Sequence, residues 1–174
     1  APSSATKLNE SLKIYGYVGT ETITYPEGSN ARVIAESVTA KSGTTGVTAY
    51  AETNARITVT PNNSTDAAGS TIVSFTLKGM NETAKTISST IKFGTGEAPA
   101  LNQPDLSDLR DKINGLSGDT GISATLSSDK TSIDLKSPDG YDIVIDDFDM
   151  PANSETSQTQ ATVAAGGISD GTGH

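Results

Sequence analysis

Five aspartates stand close together in the C-terminal third of the chain, and carboxylates at short spacing are capable of chemistry. They are Asp139, Asp142, Asp146, Asp147 and Asp149. Such a group can bind calcium, or two of its members can act as the acid and base of a glycosidase. Their spacing matches no calcium loop, and on an extended strand Asp142 and Asp146 share the face opposite Ile143. This alternation is typical of the solvated face of a half-buried strand, so we predict no metal site and no catalytic residues here.

Other residues that could do chemistry are few. His174 is the single histidine and stands last in the sequence, where we expect a tail residue and not a catalytic base. The absence of cysteine excludes thiol nucleophiles, cysteine metal sites and disulfides. The glycine-rich segments GTGEAP and GGISDGTG lack the residues of a phosphate-binding loop and the spacing of a dinucleotide-binding loop. We therefore predict a protein that is not an enzyme and has no cofactor.

The composition limits the size of the core and the kind of partner. The chain has 174 residues, of which 33% are hydrophobic and 5% aromatic, enough for one ordinary domain or two small ones with a modest, β-rich core. A formal net charge of −9 argues against a nucleic-acid partner. No apolar run approaches the roughly 20 residues of a membrane span. The opening residues APSSATKLNE also lack the basic and apolar regions of a signal peptide.

The elements that would position any site are repeated along the chain. The phrase TTGVTA at residues 44–49 returns as DTGISA at 119–124, so that Gly46 and Gly121 stand 75 residues apart. In both places a helix-like stretch precedes the phrase and a strand-like stretch follows it. Glycine at such a joint permits a positive φ. We therefore interpret the repeated phrase as a structural joint.

A short amphipathic helix is predicted before each joint. Apolar residues are spaced i, i+3, i+7 in both copies, at Ala31, Ile34 and Val38 and at Leu106, Leu109 and Ile113. Asn30 and Asp105 stand just before these stripes, and both residue types are good N-caps. We therefore expect each helix to pack its apolar stripe against a neighbouring sheet.

Alternation of apolar and polar residues predicts the strands. They lie at residues 13–16, 55–61 and 70–77 in the first copy, at 91–94, 131–138 and 141–148 in the second, and at 159–165 near the end. Pro138-Asp139-Gly140 predicts a hairpin turn between the last two strands of the second copy. A longer polar loop at residues 61–70 is expected at the equivalent place in the first copy.

These elements predict an α+β fold of two related small lobes, each a twisted, mainly antiparallel sheet with one short helix packed on it. Residues 1–12 would lead into the domain, 13–90 would form the first lobe and 91–150 the second. Residues 151–174 have the composition of a return segment or linker. If the chain is an insert in a longer protein, residues 7–12 and 158–165 should lie close together.

The order of a strand with a glycine-rich bend, a short helix, TGV(T/S)A and a strand hairpin resembles the flagellin hook IN motif. The resemblance covers about residues 12–60 and 91–145, and so includes two copies. This motif occurs in the central regions of bacterial flagellins and in the filament cap protein. The long terminal helices that assemble flagellins are not found in this sequence. The chain thus resembles the central, surface-exposed outer region of a flagellin.

This resemblance implies a structural function without catalysis. The domain would be exposed on the extracellular flagellar filament, support motility and contact neighbouring flagellin subunits or their outer domains. O-linked glycan on exposed serine or threonine is the expected modification, with residues 62–70 as the acceptor region. The alternative is a binding module of a filament cap, hook-associated or adhesin-like surface protein, because the motif also occurs outside flagellins.

Overall fold

The computed structural model describes residues 11–60, 69–94, 103–150 and 160–165, the last of these by their backbone alone. These residues fall into two compact units. The first contains the described residues up to Thr53, the first residue of a strand that otherwise belongs to the second unit, together with Pro138–Asp142, and the second contains the others. The predicted lobes at 13–90 and 91–150 follow the sequence repeat and stay a prediction, since the compact units have other limits. Most of the leading and return segments, 1–12 and 151–174, lies outside the described residues.

The first unit combines a two-stranded sheet with two short helices. Its elements are β1 (Ser11–Tyr15), β2 (Thr20–Thr24), α1 (Ala31–Thr39) and α2 (Ser42–Thr45). The strands pair antiparallel, with Leu12 opposite Ile23. Ile14, Ile23 and Val38 form a small buried core, against which Tyr25, Val47 and Ala49 pack.

The second unit contains most of the strands. Its elements are β3 (Thr53–Thr60), β4 (Ser70–Lys78), β5 (Lys85–Phe93), β6 (Pro104–Asp105), α3 (Ser107–Gly115), α4 (Ser117–Thr120), β7 (Ser123–Leu126), β8 (Ser132–Ser137), β9 (Val144–Asp149) and β10 (Gln160–Ala165). One four-stranded sheet has the order β10-β3-β8-β7, and the other has the order β6-β5-β4-β9. The pairs β4–β5, β4–β9, β5–β6, β7–β8 and β3–β10 are antiparallel. The prediction of an α+β fold with mainly antiparallel sheets is confirmed.

Both sheets and α3 of the second unit contribute to one hydrophobic core. Alternate residues of the strands point inward, as a period of two requires. Its largest fully buried side chains are Phe75, Ile57, Leu77, Ile91, Leu106, Leu109, Ile113, Ile122, Ile133, Leu135, Val59 and Val73. The predicted stripe of α3 is thus fully buried, whereas on α1 Val38 is buried and Ile34 only half-buried.

Of the two predicted helix N-caps, the one in the first copy is confirmed. Asn30 caps α1, and its side-chain oxygen accepts a hydrogen bond from the Val33 N–H at 3.0 Å. The N-cap prediction for Asp105 is wrong, because α3 begins at Ser107 and Leu106 takes the cap position. Asp105 still accepts a hydrogen bond from the Ser107 N–H at 2.9 Å, so its carboxylate serves the same helix from one residue further out.

The predicted hairpin at Pro138-Asp139-Gly140 is also wrong. Gly140 does adopt a positive φ of 71°, as a turn requires. However, β8 and β9 on either side belong to different sheets, and β9 pairs with β4. A turn signal gives the local reversal of the chain but not the partner of the strand that follows.

An irregularity interrupts β9, which is an edge strand of its sheet. Thr76 of β4 lies opposite Asp146, but Ser74 lies opposite Asp149, so two residues of β9 face one of β4. Asp147 within this bulge has a φ of 53°. Next to it, the Phe148 ring stacks on the buried Phe75 ring, with 5.7 Å between their centroids.

Candidate functional site

The residues that the sequence singled out for possible chemistry are acidic side chains and one histidine, and the expectation that none of them is catalytic stays a prediction. Asp146, Asp147 and Asp149 are exposed on β9, as expected for the solvated face of a half-buried strand. Within the described ranges, no group of three or more acidic or histidine side chains has an arrangement that could hold a metal ion. His174 lies outside the described residues. No helix of the described ranges is both long enough and apolar enough to cross a membrane.

The two helix–strand joints are the most distinctive local structures. After α1 a one-turn helix, α2, ends at Gly46, whose φ of 75° confirms the predicted positive value. Thr45 before it is fully buried. Its hydroxyl donates to the Lys41 carbonyl at 2.9 Å and accepts from the Val47 N–H at 3.1 Å. The hydroxyl therefore closes α2 and fixes the direction in which the chain leaves it.

The same bonds recur 75 residues later. α4 ends at Gly121 with a φ of 69°. The fully buried Thr120 donates its hydroxyl to the Leu116 carbonyl at 3.0 Å and accepts from the Ile122 N–H at 3.2 Å. The sequence indicated both glycines but neither of the one-turn helices, because four residues are too few for a periodic pattern.

A side chain near the end of each longer helix holds the segment that follows the glycine. The Thr39 hydroxyl lies 3.0 Å from the Ala49 nitrogen and 3.1 Å from its oxygen, accepting from one and donating to the other. The Asn114 amide accepts from the Ala124 N–H at 2.8 Å and donates to its carbonyl at 2.9 Å. These two pairs also stand 75 residues apart in the sequence.

A hairpin packs on each joint through a glycine that has no room for a side chain. At Gly16, after β1, a Cβ would overlap the Thr45 carbonyl oxygen, and at Gly79, after β4, it would overlap that of Thr120. A residue shortly after each glycine donates its backbone N–H to that carbonyl oxygen. Val18 donates to Thr45 at 3.2 Å, and Met80 donates to Thr120 at 2.9 Å. The sequence repeat predicts that residues 91–94 correspond to 13–16, but the structure places Gly79 and not Gly94 in the role of Gly16.

Residues 11–63 match the flagellin hook IN motif. The hook IN match contains β1, β2, α1, α2 and β3, and therefore the first joint with the hairpin that packs on it. It does not extend to the second joint at Gly121. No curated protein matches the chain.

Helix α3 also supplies hydrogen bonds to the edge of β5. Asp108 accepts from the Ser89 hydroxyl at 2.7 Å and from the Thr90 N–H at 3.2 Å. One turn later Lys112 donates to the Ser88 carbonyl, and it lies 3.3 Å from the Asp108 carboxylate. The Ser89 hydrogen bond above all, and then Thr90 and Lys112, hold the pKa of Asp108 below its ordinary value. This ion pair satisfies backbone groups that a further strand would otherwise satisfy.

A second ion pair joins neighbouring strands of the other sheet. The Arg56 guanidinium on β3 makes two hydrogen bonds to the Asp134 carboxylate on β8, at 2.6 and 2.9 Å. This fork geometry lowers the pKa of Asp134 through the hydrogen bond and the charge of Arg56. Both side chains are more than half exposed, so the pair contributes to register more than to stability.

The surface of the first unit carries the most exposed aromatic residues of the described chain. Tyr17 and Tyr50 are 90% and 95% exposed, and Tyr15 is 73% exposed with the Lys13 ammonium 5.2 Å from its ring centroid. Arg32 of the same unit lies 4.5 Å from the centre of the Tyr141 ring and 2.9 Å from Glu36. Exposed tyrosines combine apolar area with a polar tip and are typical of contact surfaces.

Proposed function

We propose that this chain is the central, surface-exposed outer region of a bacterial flagellin, with a structural function in the flagellar filament. The hook IN match at residues 11–63 carries this proposal, because it coincides with a complete structural element, the hairpin, the helices and the joint at Gly46. The acidic, hydroxyl-rich composition with a net charge of −9 suits a hydrated exterior. The protein is then extracellular, supports motility and does not act as an enzyme.

We further propose that the chain carries two copies of the hook IN motif. Supporting this, Thr45 and Thr120 make the same pair of hydrogen bonds, and both precede a glycine with positive φ. The buried and partly buried apolar positions also correspond: Ile14, Ile23, Val38, Val47 and Ala49 in the first copy match Leu77, Ile87, Ile113, Ile122 and Ala124 in the second. On this correspondence the second copy begins at β4 and not at residue 91.

The partners in this proposal are neighbouring flagellin subunits or their outer domains, and O-linked glycan is the expected modification. The proposed acceptor loop, residues 62–70, lies mostly outside the described residues. Intact-mass measurement on protein from native filaments tests the modification. A mass equal to that of the unmodified chain would reject it.

The sequence that flanks this chain in its parent protein is the sharpest test of the function. Long heptad-patterned helices on both sides are expected for a flagellin. Gold-labelled antibodies against this chain should then mark intact filaments along their whole length. Label at the filament tip or at its base alone would contradict the proposal and favour the cap or hook-associated alternative.

The exposed tyrosines Tyr15, Tyr17 and Tyr50 favour that second candidate, a binding module of a cap, hook-associated or adhesin-like surface protein. The same labelling experiment separates the two functions. Labelling of a surface that has no filament would support the adhesin-like protein.

A further inference from the structure

The hairpin of the first unit has a close counterpart in the second unit. Gly16 and Gly79 mark the same position, directly after β1 and β4. Counting back from these glycines, Leu12 takes the place of Phe75. The register agrees, because Leu12 lies opposite Ile23 on β2, and Phe75 lies opposite Ile87 on β5. Residue by residue, Leu12, Lys13 and Ile14 therefore correspond to Phe75, Thr76 and Leu77.

The two hairpins differ in what lies beyond their first strand. Beyond β4 lies β9, antiparallel, with Ile145 opposite Leu77 and Asp146 opposite Thr76. The Phe148 ring of β9 stacks on Phe75, which is 1% exposed. Beyond β1, no strand of the described ranges is paired.

The side chains of β1 reflect this difference. Leu12, at the position of the buried Phe75, is 41% exposed. Two of the usual protections against edge pairing are absent within Ser11–Tyr15, which has no proline and no bulge; the third, a lysine charge, is that of Lys13 alone and selects for an acidic partner. An unpaired, partly apolar strand of this kind is the acceptor in β-strand addition.

We propose that the outer edge of β1 binds an extended segment of a partner protein that runs antiparallel to β1 and has the pattern of β9: an apolar residue, then an acidic residue, and across a bulge a second apolar or aromatic residue two positions after the acidic one. The chemistry follows from β9 on β4. The residue opposite Lys13 occupies the position of Asp146, where a carboxylate forms a cross-strand ion pair with the lysine ammonium. An apolar or aromatic residue two positions later, the place of Phe148, covers Leu12. This inference does not depend on the proposed function, since it follows from the two hairpins alone.

The test uses the full chain and a fluorescent peptide with the sequence of residues 141–150, YDIVIDDFDM. We expect saturable binding by fluorescence anisotropy, and shifts of the backbone amide signals of Ser11–Tyr15 in NMR spectra of the labelled protein. A peptide of the same composition in scrambled order should not bind. Equal binding of the scrambled peptide, or no binding of either, would overturn the proposal.

Charge reversal identifies the contact. Lys13→Glu should weaken binding of the peptide at least about threefold, since an attractive cross-strand pair becomes repulsive. A peptide with Asp146→Lys should recover the lost affinity on this variant. Lys41→Glu, an exposed lysine of the same unit, is the matched control and should leave binding unchanged.

The peptide could instead displace β9 from β4. The NMR spectrum distinguishes this displacement from binding at β1. Shifts confined to Ser70–Lys78, with Ser11–Tyr15 unaffected, would show exchange at the second hairpin and overturn the proposal. Lys13 is exposed, so its replacement is expected to leave the circular dichroism spectrum unchanged.

Discussion

At the residue scale, each joint depends on one buried threonine whose hydroxyl uses both its donor and its acceptor capacity. Thr120 donates to the Leu116 carbonyl and accepts from the Ile122 N–H. The Leu116 carbonyl also accepts from the backbone N–H groups of Asp119 and Thr120, but the N–H of the fully buried Ile122 depends on the Thr120 hydroxyl. The joint is therefore sensitive to loss of a single oxygen atom.

Thr120→Val keeps the shape of the side chain and removes both hydrogen bonds. We expect the free energy of unfolding to fall by about 1–3 kcal/mol, the range for leaving buried polar groups without partners. Urea unfolding followed by circular dichroism measures this loss. Thr125→Val, on an exposed position of β7, is the control and should have little effect. Equal stability of the two variants would contradict the role of the hydroxyl.

Gly79 is the residue where added volume should be tolerated least. A Cβ there would overlap the Thr120 carbonyl oxygen, a backbone atom that cannot turn aside. Gly79→Ala should therefore lower the free energy of unfolding by about 1–3 kcal/mol or more. Gly118→Ala, where a Cβ meets no atom within 4 Å, should be neutral or stabilising by up to about 1 kcal/mol. Thermal unfolding of both variants under one set of conditions measures the difference. A lower Tm for Gly118→Ala than for Gly79→Ala would contradict the prediction.

Acid should reduce stability through the aspartates whose pKa is lower in the folded state than in the unfolded state. The pKa of Asp108 is lowered, first by the Ser89 hydroxyl, so its contribution is complete above the ordinary aspartate pKa of about 4. It is lost as the pH falls through the lower pKa of the folded state. We expect Tm to drop between pH 5 and pH 2, by calorimetry. Asp108→Asn should flatten this dependence; an unchanged pH profile in the variant would exclude Asp108 as a contributor.

At the scale of elements, α3 covers strand edges of both sheets of the second unit, because its side chains bond backbone groups of β5 and β7. Its apolar residues Leu109 and Ile113 enter the core. Asp108 and Lys112 bond the backbone of β5, and Asn114 bonds that of β7. One helix thus satisfies backbone groups that β-sheets usually satisfy with another strand.

Asn114→Ala should expose one amide selectively. The Ala124 N–H loses its acceptor, so hydrogen exchange at this amide should accelerate while amides of the β4–β5 pair keep their protection. Native-state hydrogen exchange measured by NMR resolves the individual sites. Thr39→Ala should produce the same change at Ala49, where the threonine hydroxyl takes the place of the amide. No acceleration at Ala124 would show that the side chain does not protect this edge.

The helices and strands of this chain are predictable from the sequence to a greater extent than the partners with which the strands pair. The stripe ending in Ile113 and the glycines 46 and 121 depend on local spacing and local backbone geometry, and the structure confirms them. The pairing of β9 with β4 joins residues about 70 positions apart and is specified by burial over the whole core, which no window of sequence contains. Gly79 was missed for the same reason, because its function is to admit a carbonyl from a distant turn.

At the scale of the whole molecule, the two compact units have very unequal cores. Three buried hydrophobic residues form the cluster of the first unit, whereas the cluster of the second includes Phe75, Phe93 and many aliphatic side chains. Apolar burial stabilises a fold by about 25 cal/mol per Å². The first unit therefore derives much less stability from its own core.

Hydrogen exchange should reveal this inequality in the intact chain. We expect amides of the β1–β2 pair to exchange at least ten times faster than those of β4–β5 under native conditions, because the smaller core opens more readily. Low concentrations of urea should widen the difference. Equal protection of the two hairpins would show that the first unit is stabilised by more than the buried residues named above.

The bulge at Asp147 bears on the behaviour of the molecule at high concentration. Stacking of sheets into an amyloid fibre requires flat strands whose hydrogen-bonding groups recur at a constant repeat. Two residues of β9 against one of β4 break that repeat, and the left-handed turn at Asp147 bends the strand. A second molecule approaching this side meets an uneven ladder flanked by carboxylates, which disfavours fibre growth from it.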